Sequence, residues 1–189
     1  VTQSGIGVDS TGTVVTVGGV AKTAADLPFT TDWLDSGATL SYTYADPVAS
    51  TVTGKRYKLT TPAPTPGSPI TVSSAVTVTG TYKTQYQVTF NQTGISSDAN
   101  THIVQVQSTN YDYATNPLFQ DWFDANSSVS FSYYSTVSTS ASTKRYKLDT
   151  VTPGTGPQSV TGPLTINGAY HTQWLVSFGV SGTIANDAV

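Results

Sequence analysis

Apolar and polar residues alternate with a period of two through much of this chain. The alternation is clearest towards the C-terminus, where Trp174, Val176, Phe178, Val180 and Ile184 share one face and Leu175, Ser177, Gly179, Ser181 and Thr183 share the other. Runs rich in Val, Thr and Tyr predict strands over 13–18, 38–44, 55–59, 70–72, 76–78 and 81–90. No helical period competes with them. Asp9-Ser10-Thr11-Gly12, Asp35-Ser36-Gly37, Asp46-Pro47 and the Pro/Gly-rich run from Pro62 to Pro69 supply turn chemistry between the strands.

The pattern occurs twice. Lys55-Arg56-Tyr57-Lys58-Leu59 returns unchanged as Lys144-Arg145-Tyr146-Lys147-Leu148, an offset of 89 residues that also carries Gly5-Ile6 to Gly94-Ile95 and Trp33-Leu34-Asp35 to Trp122-Phe123-Asp124. One residue is lost in the Pro/Gly-rich stretch. After it, Gly80-Thr81-Tyr82-Lys83-Thr84-Gln85-Tyr86 matches Gly168-Ala169-Tyr170-His171-Thr172-Gln173-Trp174. About seven strands per copy of about ninety residues predict an all-β chain of two tandem immunoglobulin-like antiparallel β-sandwich modules, over 1–88 and 89–178, with 179–189 as an overhang.

No linker separates the copies. The segment from Tyr86 to Gly94 runs straight from one into the other, which predicts a strand passing continuously between modules. Residues 174–182 repeat that passage as the beginning of a third copy, whereas Val1 aligns with Phe90, so the first copy lacks the segment that the second receives from its neighbour. The expectation is strand addition, with the overhang of one subunit completing the first module of the next. Such a contact propagates into a filament unless its rotation closes a ring. Trp174, Val176, Phe178, Val180 and Ile184 are the expected donor-strand interface.

Composition narrows the setting. Of 189 residues, 34 are Thr and 22 are Ser, while Glu, Met and Cys are absent, which suits a long-lived secreted chain and excludes disulfides, thiolate metal sites and a cysteine nucleophile. A net charge of -3, with the few basic residues in two matching clusters, argues against nucleic acid as a partner. There is no apolar run long enough for a membrane span.

The segments Gly80-x-Tyr82-Lys83-Thr84-Gln85-Tyr86-x-Val88 and Trp33-Leu34-Asp35-Ser36-Gly37, the Arg56-Tyr57 pair and the Gln92-Thr93-Gly94 turn resemble tandem repeats of archaeal cell-surface and S-layer-like proteins. The resemblance covers both copies. It implies a secreted, β-rich protein with a structural or adhesive role and no catalytic residues to carry over. The second copy departs from the pattern with Asp124-Ala125-Asn126 in place of Asp-x-Gly and with Trp174 in place of the last Tyr.

Candidate chemistry is sparse. His102 and His171 fall where the first copy has Thr13 and Lys83, so they form no repeated triad, and no catalytic, cofactor or metal site is expected. Asp32 with Asp35, and Asp121 with Asp124, flank the repeated Trp and offer oxygen ligands of the kind calcium favours, but no Asp-rich loop of EF-hand spacing appears and turn capping is the preferred reading. The Lys-Arg-Tyr-Lys clusters read as solvated edges with Tyr57 and Tyr146 pointing inward. Asn91 and Asn126 open glycosylation sequons, so covalent glycans are an expected modification if the chain is secreted. The pattern as a whole predicts an extracellular subunit polymerising with itself into a pilus-like or sheath-like filament. The competing expectation is a monomeric adhesin or glycan-binding fragment of a longer repeat protein.

Overall fold

The computed structural model describes residues 1–60, 66–179 and 181. It is all-β, with one 3-10 turn at Ala24–Asp26. The first repeat contributes β1 (Thr2–Ser4), β2 (Ser10–Thr11), β3 (Val15–Val17), β4 (Val20–Lys22), β5 (Thr39–Leu40), β6 (Tyr42–Tyr44), β7 (Val48–Ser50), β8 (Lys55–Leu59) and β9 (Ile70–Thr71). The long β10 (Thr79–Thr93) follows, and then β11 (Val104–Val106), β12 (Thr109–Tyr111), β13 (Phe119–Asp124), β14 (Ser128–Val129), β15 (Phe131–Tyr133), β16 (Thr136–Ser138), β17 (Lys144–Thr152), β18 (Gln158–Ser159) and β19 (Leu164–Trp174).

In the first repeat, β2, β7, β8 and the front of β10 form one layer, opposed by β4-β3-β6 and the short β5-β9 pair. The second repeat matches it with β16, β17 and β19 against β12-β11-β15 and β14-β18. Neighbouring strands run antiparallel except at two equivalent places, where β1 lies parallel to the front of β10 and the back of β10 lies parallel to β19.

Each repeat has its own hydrophobic cluster. Val15, Val17, Tyr42, Tyr44, Val48, Tyr57 and Tyr82 are prominent in the first. Their counterparts Val104, Val106, Phe131, Tyr133, Val137, Tyr146 and Tyr170 lie in the second. Buried Tyr hydroxyls need partners, and for Tyr82 and Tyr170 backbone carbonyls provide them. Tyr82 donates to Ala45 O at 2.8 Å and Tyr170 to Tyr134 O at 2.8 Å. The Tyr44 and Tyr133 rings rest on the backbone of Gly80 and Gly168, where an added Cβ would come within 2.5 Å of the ring. The glycine of the Gly-x-Tyr motif is therefore required by close approach.

Asp35-Ser36-Gly37 and Asp124-Ala125-Asn126 make the same turn despite their different sequences. Gly37 has φ of +89° and Asn126 of +65°, and Asn is among the residues that best tolerate this left-handed conformation. The predicted strand over 76–78 is not formed. Its counterpart at Leu164–Ile166 pairs with Val88–Phe90 of β10, but no described strand offers the equivalent partner in the first repeat.

Tyr57 and Tyr146 are each 1% exposed, and the Lys-x-Tyr spacing joins both residues to one carboxylate. Lys55 pairs with Asp9 at 2.9 Å, and Ser50 and Tyr57 donate hydroxyl hydrogen bonds to the same Asp9. In the second repeat, Lys144 pairs with Asp98 at 2.7 Å and Tyr146 donates to it. The Ser50 hydroxyl, then Tyr57 and Lys55, hold the Asp9 carboxyl far below the usual carboxylate range, and Lys144 and Tyr146 lower that of Asp98. A depressed folded value stabilises the fold fully above about pH 4, where an unfolded Asp is ionised, and that stabilisation is lost progressively as pH falls from there through the folded value. Asp9→Asn is expected to lower the thermal midpoint at pH 7, with the gap to the parent narrowing below about pH 4. A gap unchanged across a pH series of melting curves would show that the network adds no charge-dependent stability.

Candidate functional site

The structurally distinctive region is the joint between the repeats. Along one edge of β10, residues Tyr82–Tyr86 pair with β8 and Val88–Thr93 pair with β19. Along the other edge lie β1, against Thr79–Thr81, and β13, against Gln85–Phe90. Val88 and Phe90 are thereby enclosed between β13 and β19 and are fully buried. Phe119 and Phe131 pack on Phe90 with ring centroids at 6.0 and 5.1 Å.

A polar clamp closes the surface of this joint. Arg56 donates through Nε to Gln85 Oε1 at 2.9 Å and stacks its guanidinium 4.4 Å from the centre of the Trp122 ring. Gln85 Nε2 donates to Asp124 at 2.8 Å, and Lys83 pairs with the same carboxylate at 2.5 Å. The hydrogen bond from Lys83 is the largest influence holding Asp124 below the usual carboxylate range. Pro163 seats against Gly54, where a Cβ would come within 3.0 Å of it. Backbone bonds from Gln87 to Gly54 and from Ala125 to Thr84, both 2.9 Å, complete the contact.

At the outer end of the first repeat this arrangement stands open. Residues 30–35 correspond to β13, yet among the described residues no strand lies beside them. A hollow of about 610 Å³ occupies the strand's place, lined by Val1, Phe29, Leu34, Leu40, Ile70 and Val78 among others. Trp33, the counterpart of Trp122, is fully exposed.

The outer end of the second repeat is open in the complementary sense. A hollow of about 570 Å³ is lined by Ser142, Thr143, Lys144, Arg145, Gln173, Trp174 and Leu175. These are the counterparts of residues 53–56 and 85–87, the surface that seats Trp122 and Pro163 inside the chain. Arg145 already donates to Gln173 at 2.8 Å, and Leu175 N bonds Thr143 O at 2.8 Å as Gln87 bonds Gly54. Beyond β19, the large side chains of Leu175, Val176 and Phe178 are exposed.

Trp174 is the last residue of β19, and it too is exposed. Because Leu175 is as open as Val176, the two faces predicted for this segment are not distinguished by burial. Val180 and Ile184 lie outside the described residues. Asn91 is half-buried in β10, its side-chain oxygen enclosed without a hydrogen-bond partner, whereas Asn126 is exposed at its turn. His102 and His171 bond separate aspartates, Asp112 and Asp149. No group of three or more His and Asp side chains suited to a metal comes together among the described residues, and the Asp124 oxygens are engaged by Lys83 and Gln85. The bridge from Arg56 through Gln85 to Asp124 is not apparent in the sequence, although the repeated Arg and Gln carry its signal. No protein-family model matches this chain, nor does any curated protein or solved structure.

Phe90 and Phe178 hold equivalent positions in opposite environments, one with 0% and the other with 96% of its surface exposed. Phe90→Ala is expected to destabilise the fold by about 3–5 kcal/mol in denaturant titrations. Phe178→Ala should change the stability of the dispersed protein by less than about 0.5 kcal/mol. Equal losses would contradict the difference between the two sites.

Proposed function

We propose that this protein is a structural subunit that joins end to end with copies of itself, residues 173–178 of one copy entering the hollow beside residues 30–35 of the next. One observation carries the reading: the residues that line the two hollows are the repeat counterparts of those that meet in the internal joint. Each half exposes what the other would cover. Transposing the internal register places Trp174 opposite Leu34, Leu175 opposite Trp33 and Phe178 opposite Thr30, where the internal joint has Tyr86 with Phe123, Gln87 with Trp122 and Phe90 with Phe119.

The substitutions compensate in size. A larger ring at 174 meets a smaller side chain at 34, and the aromatic lost at Thr30 is replaced one residue earlier by Phe29 in the place of Leu118. Matched volume at facing positions is what a packed interface requires. A different partner would have no reason to mirror the chain's own internal joint. The contact is heterologous, so repetition gives an extended filament, pilus-like or sheath-like. The Thr/Ser-rich, Cys-free composition and the resemblance to surface repeats support an extracellular setting.

Negative-stain microscopy and sedimentation of the purified protein across a concentration series test this reading. The parent should form filaments, and Val176→Asp with Phe178→Asp should leave folded monomers with an unchanged thermal midpoint. Filaments that persist with both substitutions, or a parent that stays dispersed at every concentration, would refute head-to-tail assembly. Dispersed parent that binds glycans would favour the adhesin reading.

A further inference from the structure

Resting on that end-to-end reading, we propose that Arg145 and Gln173 of one copy grip Trp33 and Asp35 of the next, and that this polar clamp fixes the register and direction of the joint. The internal clamp gives the pattern: the Arg56 guanidinium covers Trp122, and Gln85 bridges Arg56 to Asp124. All four types recur at the open ends, as Arg145 and Gln173 on one side and Trp33 and Asp35 on the other.

Half of the external clamp is already assembled. Arg145 and Gln173 hold each other at 2.8 Å with no second chain present, so little further side-chain freedom is lost when the partner arrives. Trp33 presents a bare indole face, which a flat guanidinium covers favourably. Asp35 is exposed and accepts the free amide hydrogens of Gln173, as Asp124 accepts those of Gln85. The ion pair of the internal joint is not repeated. His171 takes the place of Lys83 and is bonded instead to Asp149, which leaves Gln173 as the donor to Asp35.

The apolar strand alone specifies register weakly. A slip of one residue turns its side chains to the wrong face, but a slip of two preserves the alternation. Two residues correspond to a displacement of about 6.6 Å, which carries Trp33 from beneath Arg145 and Asp35 from the reach of Gln173. The clamp therefore rejects the alternatives that hydrophobic packing accepts.

A single joint is isolated by mixing two blocked full-length chains, one with Leu34→Asp, which puts an unpaired charge in the receiving hollow, and one with Phe178→Asp, which disables the entering strand. The first keeps Arg145 and the second keeps Trp33, so only one joint forms and its Kd is read by sedimentation or calorimetry. Arg145→Ala in the first chain and Trp33→Ala in the second should each weaken association about tenfold, and both together little more than either alone. Both side chains are exposed, so the substitutions do not disturb the separate folds. A joint that forms but loses affinity additively, or not at all, would overturn the clamp and leave end-to-end assembly standing. Complete failure of the two blocked chains to associate would overturn both.

The absence of cysteine permits a direct check of register. Residues directly opposite on antiparallel strands have Cα atoms about 4.5–5.5 Å apart, within disulfide range. Leu34→Cys with Trp174→Cys in one chain should give a ladder of covalent multimers on oxidation. Leu34→Cys with Val176→Cys should give the ladder only if the strand has slipped by two residues, an outcome that would refute the proposed register.

Discussion

Strand β10 has to satisfy two hydrophobic cores with one unbroken run of alternating residues. Tyr82 belongs to the first cluster and Val88 and Phe90 to the second, all on even-numbered positions. A residue inserted between them would turn one set outward while the other stayed in place. The two repeats differ in length, but the difference falls in the Pro/Gly-rich stretch before β10. The strand itself keeps its phase. Gln85, buried at an odd position, marks the crossing, and its side chain is satisfied by Arg56 on one flank and Asp124 on the other.

Much of this organisation could be read from the sequence. The repeat, the strand content and the continuous passage through residues 86–94 follow from alternation and offset, signals local to the chain. Two features could not be obtained in that way. Residues 76–78 look like a strand by composition but form none, because a strand is defined by its neighbour as much as by its own residues. Conversely, β13 contains Gln120, Asp121 and Asp124, an unpromising strand composition, and forms because β10 lies beside it. Both departures concern the same place in the two repeats. One is occupied and the other open.

The aspartates beside Trp122 have partners in the fold that their spacing does not reveal. Spacing alone makes Asp121 and Asp124 look like oxygen ligands. In the fold, Asp124 accepts hydrogen bonds from Lys83 and Gln85, and Asp121 accepts one from the backbone of Trp122. Arg56, which the sequence placed on a solvated edge, stacks across the joint on an aromatic residue from the other repeat. Only the folded arrangement brings those partners together.

The continuous strand also has a mechanical meaning. Tension drawing the two cores apart along β10 runs through covalent backbone, and it loads the hydrogen bonds to β8, β13 and β19 in shear, many at once, rather than peeling them open in succession. Shared loading makes rupture a cooperative event. A flexible tether between the cores would extend under the first small pull. Here the two hydrophobic clusters share one unbroken strand instead.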